Sequence, residues 1–156
     1  MDNDLYDLAR FLEAQDRVFA RVWGEINARR KVTLWMWFIF PQLGATADTD
    51  MSHRYGLHSL DEARAYINHP ILGMRLRECT QLLLSQPDSD AYAIFGSDER
   101  KFHASMTLFA CACGDHSPFH DALAKFFHSR DDAATIRLLR VAPPAGPPGG
   151  IASHPH

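Results

Sequence analysis

The sequence predicts a mainly α-helical single compact domain of five to six helices over residues 4–140, with room for one short β element around 32–40. Three observations carry this. Apolar residues recur at spacings of three and four in several segments, as a helix with one buried face requires. Helix-start signals stand in front of those segments. The length of 156 residues, with 46% hydrophobic and 22% charged side chains, suits one hydrophobic core.

Taken in order, Leu5, Leu8, Phe11, Leu12, Val18, Phe19 and Val22 define an amphipathic helix from Asp4 to about residue 29, with Gly24 weakening its last turns. The block from Lys31 to Phe40 has no polar face at either period and ends at Pro41, so it fits either a buried short helix or a strand. Residues 43–54, small and polar, read as an exposed loop. Ser59 and Glu62 have the spacing of a capping box and open a helix over 60–68. Pro70 starts the next helix, which carries a Leu72, Leu76, Cys79, Leu82 and Leu83 stripe to Ser85, and His69 before it suits a capping or packing role. Ala91 to Phe95 reads as a connector, and Ser97-Asp98-Glu99-Arg100 opens a helix that Gly114 closes after Cys113. Ser117-Pro118 begins another, and Asp131 or Asp132 caps a last one through Leu139. The Pro- and Gly-rich stretch over 141–156 reads as a flexible tail, since one large aliphatic residue offsets too little chain entropy.

A net charge of -3, with scattered Lys and Arg, gives no broad basic face for nucleic acid. No apolar run approaches a membrane span or a signal segment, so the expectation is a cytoplasmic protein without a membrane partner. Cys79, Cys111 and Cys113 form no zinc-like pairs and fit reduced thiols. His116 and His120 have a zinc-compatible spacing, but Ser117-Pro118 places a helix start between them, and no metal site is expected. No glycine-rich phosphate loop, HExxH or GxSxG occurs, so no cofactor is implied.

The residues that could carry chemistry cluster in and around the aromatic block. Trp35 or Trp37 must be buried in either conformation, and a buried indole N–H needs an acceptor, which Gln42 could supply unless its amide faces a ligand. Such a block lines pockets as readily as it fills cores. Arg29-Arg30-Lys31 either complements the C-terminal dipole of the first helix or contacts an anion beside the block. Lys101 and Ser105 share a helix face, which fits an activated hydroxyl or, more commonly, a surface Lys with a packing Ser.

Read together, these segments resemble the bacterial DUF1810 family of unknown function. The resemblance rests on FLEAQ at 11–15, RRKVTLWMWFIFPQ at 29–42, Tyr55-Gly56-Leu57 followed by SLDEARAY, HPILGMRLRE at 69–78, IFGSDERKF at 94–102, SMTLFA at 105–110 and DDAATIRLL, in order over residues 5 to about 139. It implies a mainly helical fold and a short stand-alone protein, and it brings no catalytic residue. The label calpastatin carried by some members belongs to a disordered repeat inhibitor, unlike a chain with a core. The family pattern has His before WMWF, a Gly-Leu-Gly loop after Pro-Gln and Ser-Ser before Met-Thr-Leu; here Leu34, Ala45-Thr46-Ala47 and Ala104-Ser105 stand there. Those departures lower the expectation of any activity the family has.

Two functions follow as expectations. The first is binding, or acting on, a small anionic or nucleotide-like ligand, with Trp35 and Trp37 as walls and Lys31, Gln42, Arg75, Lys101 and Ser105 around them. The alternative is a non-catalytic interaction module whose aromatic block continues into an apolar surface. The first requires these basic groups and Gln42 to approach one cleft and is lost if they lie on separate faces; the second requires an open hydrophobic surface or a dimer, and a monomer with the block fully buried counts against it.

Overall fold

Helix starts in this chain follow the side chains able to satisfy orphan amide donors. The computed structural model describes residues 4–44, 49–114 and 116–141. Among these, six helices of nine residues or more form: α1 (Ala9–Asn27), α4 (Leu60–Asn68), α5 (Pro70–Ser85), α7 (Glu99–Cys113), α8 (Pro118–Phe127) and α9 (Ala133–Val141). Three shorter ones, α2 (Met36–Ile39), α3 (Asp50–Tyr55) and α6 (Ala91–Phe95), lie between them, and a 3-10 turn at Gly96–Asp98 leads into α7.

Four of the predicted caps act, whereas Asp98 at the start of α7 makes no cap hydrogen bond. Ser59 Oγ accepts from the Glu62 amide at 3.0 Å, although the Glu62 carboxylate returns to the His58 amide at 2.8 Å rather than to the cap residue itself. His69 accepts from the amides of Ile71 and Leu72 through its ring nitrogen, with Pro70 as the first helical residue. Ser117 and Asp132 cap α8 and α9 through the amides of His120 and Thr135. Val141 belongs to α9, and the rest of the predicted tail lies outside the described residues.

Four expectations change. The expected connector over Ala91 to Phe95 is the short helix α6, opened by Asp90, whose carboxylate accepts from the Tyr92 amide. The first helix begins at Ala9, not near Asp4, because Asp7 turns left-handed with a φ of 53° and the Asp4 carboxylate reaches forward to the amides of Leu8 and Ala9. The 32–40 block forms the single turn α2 and no strand; bridge pairing among the described residues is confined to Leu43 and Leu57. The predicted loop 43–54 contains α3, opened by Thr49 and Ser52, whose side chains each accept the other's amide. Positions 45–48 of that loop lie outside the described residues.

α7 packs against α2, α4, α8 and α9, while α5 packs against α1, α4 and α8. Phe102 lies in the first turn of α7, its ring stacked on Phe95 at 4.6 Å and edge-on to Phe40 and Phe126 at 5.2 and 5.6 Å. A second aromatic seam runs from Phe11 through Tyr66 to Phe109, with centroids 5.0 and 5.5 Å apart. Edge-to-face and tilted pairs of this kind add to burial because the ring quadrupoles complement one another.

Two backbone devices complete the frame. Leu57 donates to the Gln42 carbonyl and Gly44 to the Leu57 carbonyl, both at 2.9 Å. Gly44 and Gly56 thereby meet backbone to backbone: a Cβ on Gly56 would fall 2.3 Å from the Gly44 Cα. At the other end of the molecule, Lys125 of α8 donates from Nζ to the carbonyls of Leu83 at 2.9 Å, Leu84 at 3.1 Å and Gln86, closing the C-terminus of α5. No helix among the described residues is long and apolar enough to cross a membrane.

Candidate functional site

The chain leaving α1 turns back at Arg29, which adopts a left-handed φ of 62°, and runs beside α6, where the Lys31 amide donates to the Ile94 carbonyl at 2.8 Å. This return brings Lys31 to the 3-10 turn before α7. Its Nζ lies 2.8 Å from Asp98 Oδ2, and Lys101 Nζ, one helical turn into α7, lies 3.1 Å from Asp98 Oδ1. Burial alone would raise the Asp98 pKa, but hydrogen bonds and charge from the two ammonium groups outweigh it and hold the carboxyl below its ordinary range.

Each ammonium also faces an indole. Lys31 Nζ stands 5.2 Å from the Trp35 ring centroid, and Lys101 Nζ stands 5.2 Å from that of Trp37. Both distances fall in the cation–π range. Four of the seven predicted residues, Lys31, Trp35, Trp37 and Lys101, are thus gathered around one carboxylate.

The two indoles differ in role. Trp35 is fully buried, and its Nε1 donates to Glu25 Oε1 at 2.8 Å, so the acceptor is Glu25 of α1 and not Gln42. The same carboxylate accepts from the amides of Val32 and Thr33 and from Thr33 Oγ1. Burial pushes the Glu25 pKa up, yet these hydrogen bonds prevail and bring it down to about 2. Trp35 is therefore a core residue, whereas Trp37 is half-buried. Trp35, Met36, Phe38, Ile39 and Phe40 are all interior, which leaves Trp37 as the block's one partly exposed aromatic residue, with Val32 and Leu34 exposed beside it.

The remaining three predicted residues are placed differently. Arg75 is engaged elsewhere: Nη2 pairs with Asp16 at 2.9 Å and Nη1 donates to Gln15 Oε1 at 3.1 Å. Gln15, buried, donates in turn to the Phe38 carbonyl and the Tyr66 hydroxyl, which ties α1 to α2 and α4. Gln42 is held beside Leu57 by its carbonyl. Ser105 shares the α7 face of Lys101 and is fully buried, and its Oγ has no hydrogen-bond partner among the described residues.

Two clefts lie at the N-terminal end of α1, and none of the seven residues lines either. One, of about 590 Å³, is lined by Tyr6, Arg10, His53, Arg54, His58 and Glu62 among others. Its central charges are fully used by the chain. Arg10 donates to the carbonyls of Tyr6, Asp7, Arg54 and Gly56 and pairs with Glu62 at 3.3 Å. The other Glu62 oxygen accepts from His58. The second cleft, about 680 Å³, is largely apolar.

Among the described residues no three His, Cys, Asp or Glu side chains are grouped to hold a metal ion. Burial raises the thiol pKa of Cys79 to about 12 and that of Cys111 and Cys113 above the ordinary value. These thiols lack thiolate character at neutral pH.

The fold and this cluster define a small helical domain with a doubly lysine-held carboxylate at the entry to α7. The chain belongs to the DUF1810 family, described as a protein of unknown function, whose model matches residues 5–139. It is similar to the conserved hypothetical protein Rv1873 from Mycobacterium tuberculosis, with 43% identity, a TM-score of 0.86, and coverage of 89% of this chain and 100% of that one. No curated protein matches it.

Proposed function

We propose that the chain binds a small anionic, nucleotide-like ligand at the corner formed by Lys101 and Trp37. One observation carries the reading. The Lys101 side chain, 29% exposed, gives one N–H to Asp98, and its ammonium lies over the ring of the half-buried Trp37. An ammonium has three donors, and a cation held on an indole at the protein surface is a ready partner for a phosphate or carboxylate. Lys31, 6% exposed, anchors Asp98 from the inside and adds a second positive charge. Trp35, Met36, Phe38, Ile39 and Phe40 are interior, and the exposed apolar part of the block is limited to Val32 and Leu34.

Thermal-shift measurements against inorganic phosphate, AMP and sugar phosphates test this. A binder present at 100 times its dissociation constant stabilises by ~2.7 kcal/mol, a rise in Tm of about 5 °C or more for a domain of this size. Lys101→Met removes the shift. The absence of a shift with every anion, or a shift that survives Lys101→Met, would refute the proposal.

A further inference from the structure

The cleft of about 590 Å³ at the N-terminal end of α1 has an occupied floor and an open rim. On the floor, Arg10 gives all five of its N–H groups to Tyr6, Asp7, Arg54, Gly56 and Glu62, and both Glu62 oxygens are taken. Arg54, which lines the same cleft and is exposed, is engaged on one side only. Its Nε donates to the hydroxyl of the buried Tyr55 at 3.1 Å, and its guanidinium carbon lies over the Tyr55 ring, 5.6 Å from the centroid. Its carbonyl is fixed in turn by Arg10 at 2.6 Å. The two Nη groups have no acceptor among the described residues, and neither carboxylate of the cleft, Asp7 or Glu62, pairs with them.

An arginine held through Nε and through its ring-facing side is fixed in place while the outer fork keeps four N–H donors. Such a fork matches the two oxygens of a planar oxyanion, and holding it in advance removes part of the ordering cost of binding. We infer that this cleft is a second binding site, and that its ligand is a small carboxylate taken bidentately by Arg54. Charge favours a single negative charge over two. Arg10 and Glu62 cancel, and Asp7, which pairs with no cation among the described residues, offsets much of the Arg54 charge. Leu5, exposed, and Tyr6 line the same cleft and suit a ligand with an apolar body. The site shares no residue with the Lys101 corner and does not depend on the reading given for it.

Amide and arginine side-chain NMR spectra recorded during titration with acetate, and separately with inorganic phosphate, test the inference. Acetate should give saturable shifts at the Arg54 Nε–H and at the amides of residues 53–58, and phosphate should bind there about tenfold more weakly. Arg54→Gln should abolish the acetate shifts. Arg54→Lys, which keeps the charge and loses the fork, should weaken acetate by about tenfold, and Lys101→Met should leave it unchanged. Both Arg54 variants retain the carbonyl that Arg10 holds, so the frame of the cleft stays in place. Absence of acetate shifts in the wild type, shifts that survive in Arg54→Gln, or equal affinity in Arg54→Lys would overturn the site. Phosphate binding there as tightly as acetate would overturn its assignment to a carboxylate.

Discussion

Two charged knots hold this molecule, and they differ in what they leave over. In the Arg10–Glu62 knot the guanidinium donates to four carbonyls and one carboxylate, and both Glu62 oxygens are occupied, with side-chain exposures of 13% and 3%. In the Asp98 knot two ammonium groups share one carboxylate, each gives it one of three donors, and the outer one lies on a half-buried indole. A planar fork can be filled completely by fixed acceptors, whereas an ammonium on a flexible stem keeps capacity. The Arg10 knot is therefore architecture, whereas the Asp98 knot, at the less conspicuous corner of Lys101, brings unused bonding capacity to the surface.

The largest effect is expected from Arg10→Met, which strands a buried carboxylate and frees four carbonyls. Its unfolding free energy should fall by about 3–5 kcal/mol in urea denaturation. A loss under 1 kcal/mol would erase the contrast between the knots.

Glu25, which anchors Trp35 beneath Lys31, comes next. Its folded pKa of about 2 lies below the ordinary 4.5, so its contribution is present above about pH 4.5 and disappears as pH falls through 2. Allowing for partial solvent screening, that contribution is about 2 kcal/mol. Glu25→Gln should lower stability at pH 7 by this amount and flatten the acid limb of the wild-type profile between pH 4.5 and 2, followed by circular dichroism.

Lys101→Met should change stability least, by under ~1 kcal/mol, because the pair is part-exposed and Lys31 still holds Asp98. Anion binding should nevertheless be lost. Destabilisation as large as that of Arg10→Met would make this knot architecture as well.

Much of the fold was readable because caps are local. Ser59, His69-Pro70, Ser117-Pro118 and Asp132 each satisfy amides two or three residues away, and the helices they open were placed by sequence. α3 was hidden because Thr49 and Ser52 open it amid small polar residues that look like loop, with Ser in place of the usual Glu. The start of α1 was misplaced because Asp4 caps from four and five residues away across a left-handed residue.

The candidate site was half legible. Lys31, Trp35, Trp37 and Lys101 stood out by type, but the carboxylate that joins them did not: Asp98 has the sequence look of an ordinary helix opener. Glu25 was invisible for a related reason. It meets Trp35 ten positions away, across a reversal that no helical or strand period encodes. Arg75 looked equivalent to the lysines, and its long-range partners, Gln15 and Asp16, redirect it.

The Lys125 clasp makes the end of one helix conditional on the seating of another. Water must replace three carbonyl acceptors whenever α8 lifts away, so the last turn of α5 should open with it as one cooperative unit. In hydrogen exchange, the amides of residues 82–86 should share the opening free energy of α8 and show none of the fraying usual at a helix end.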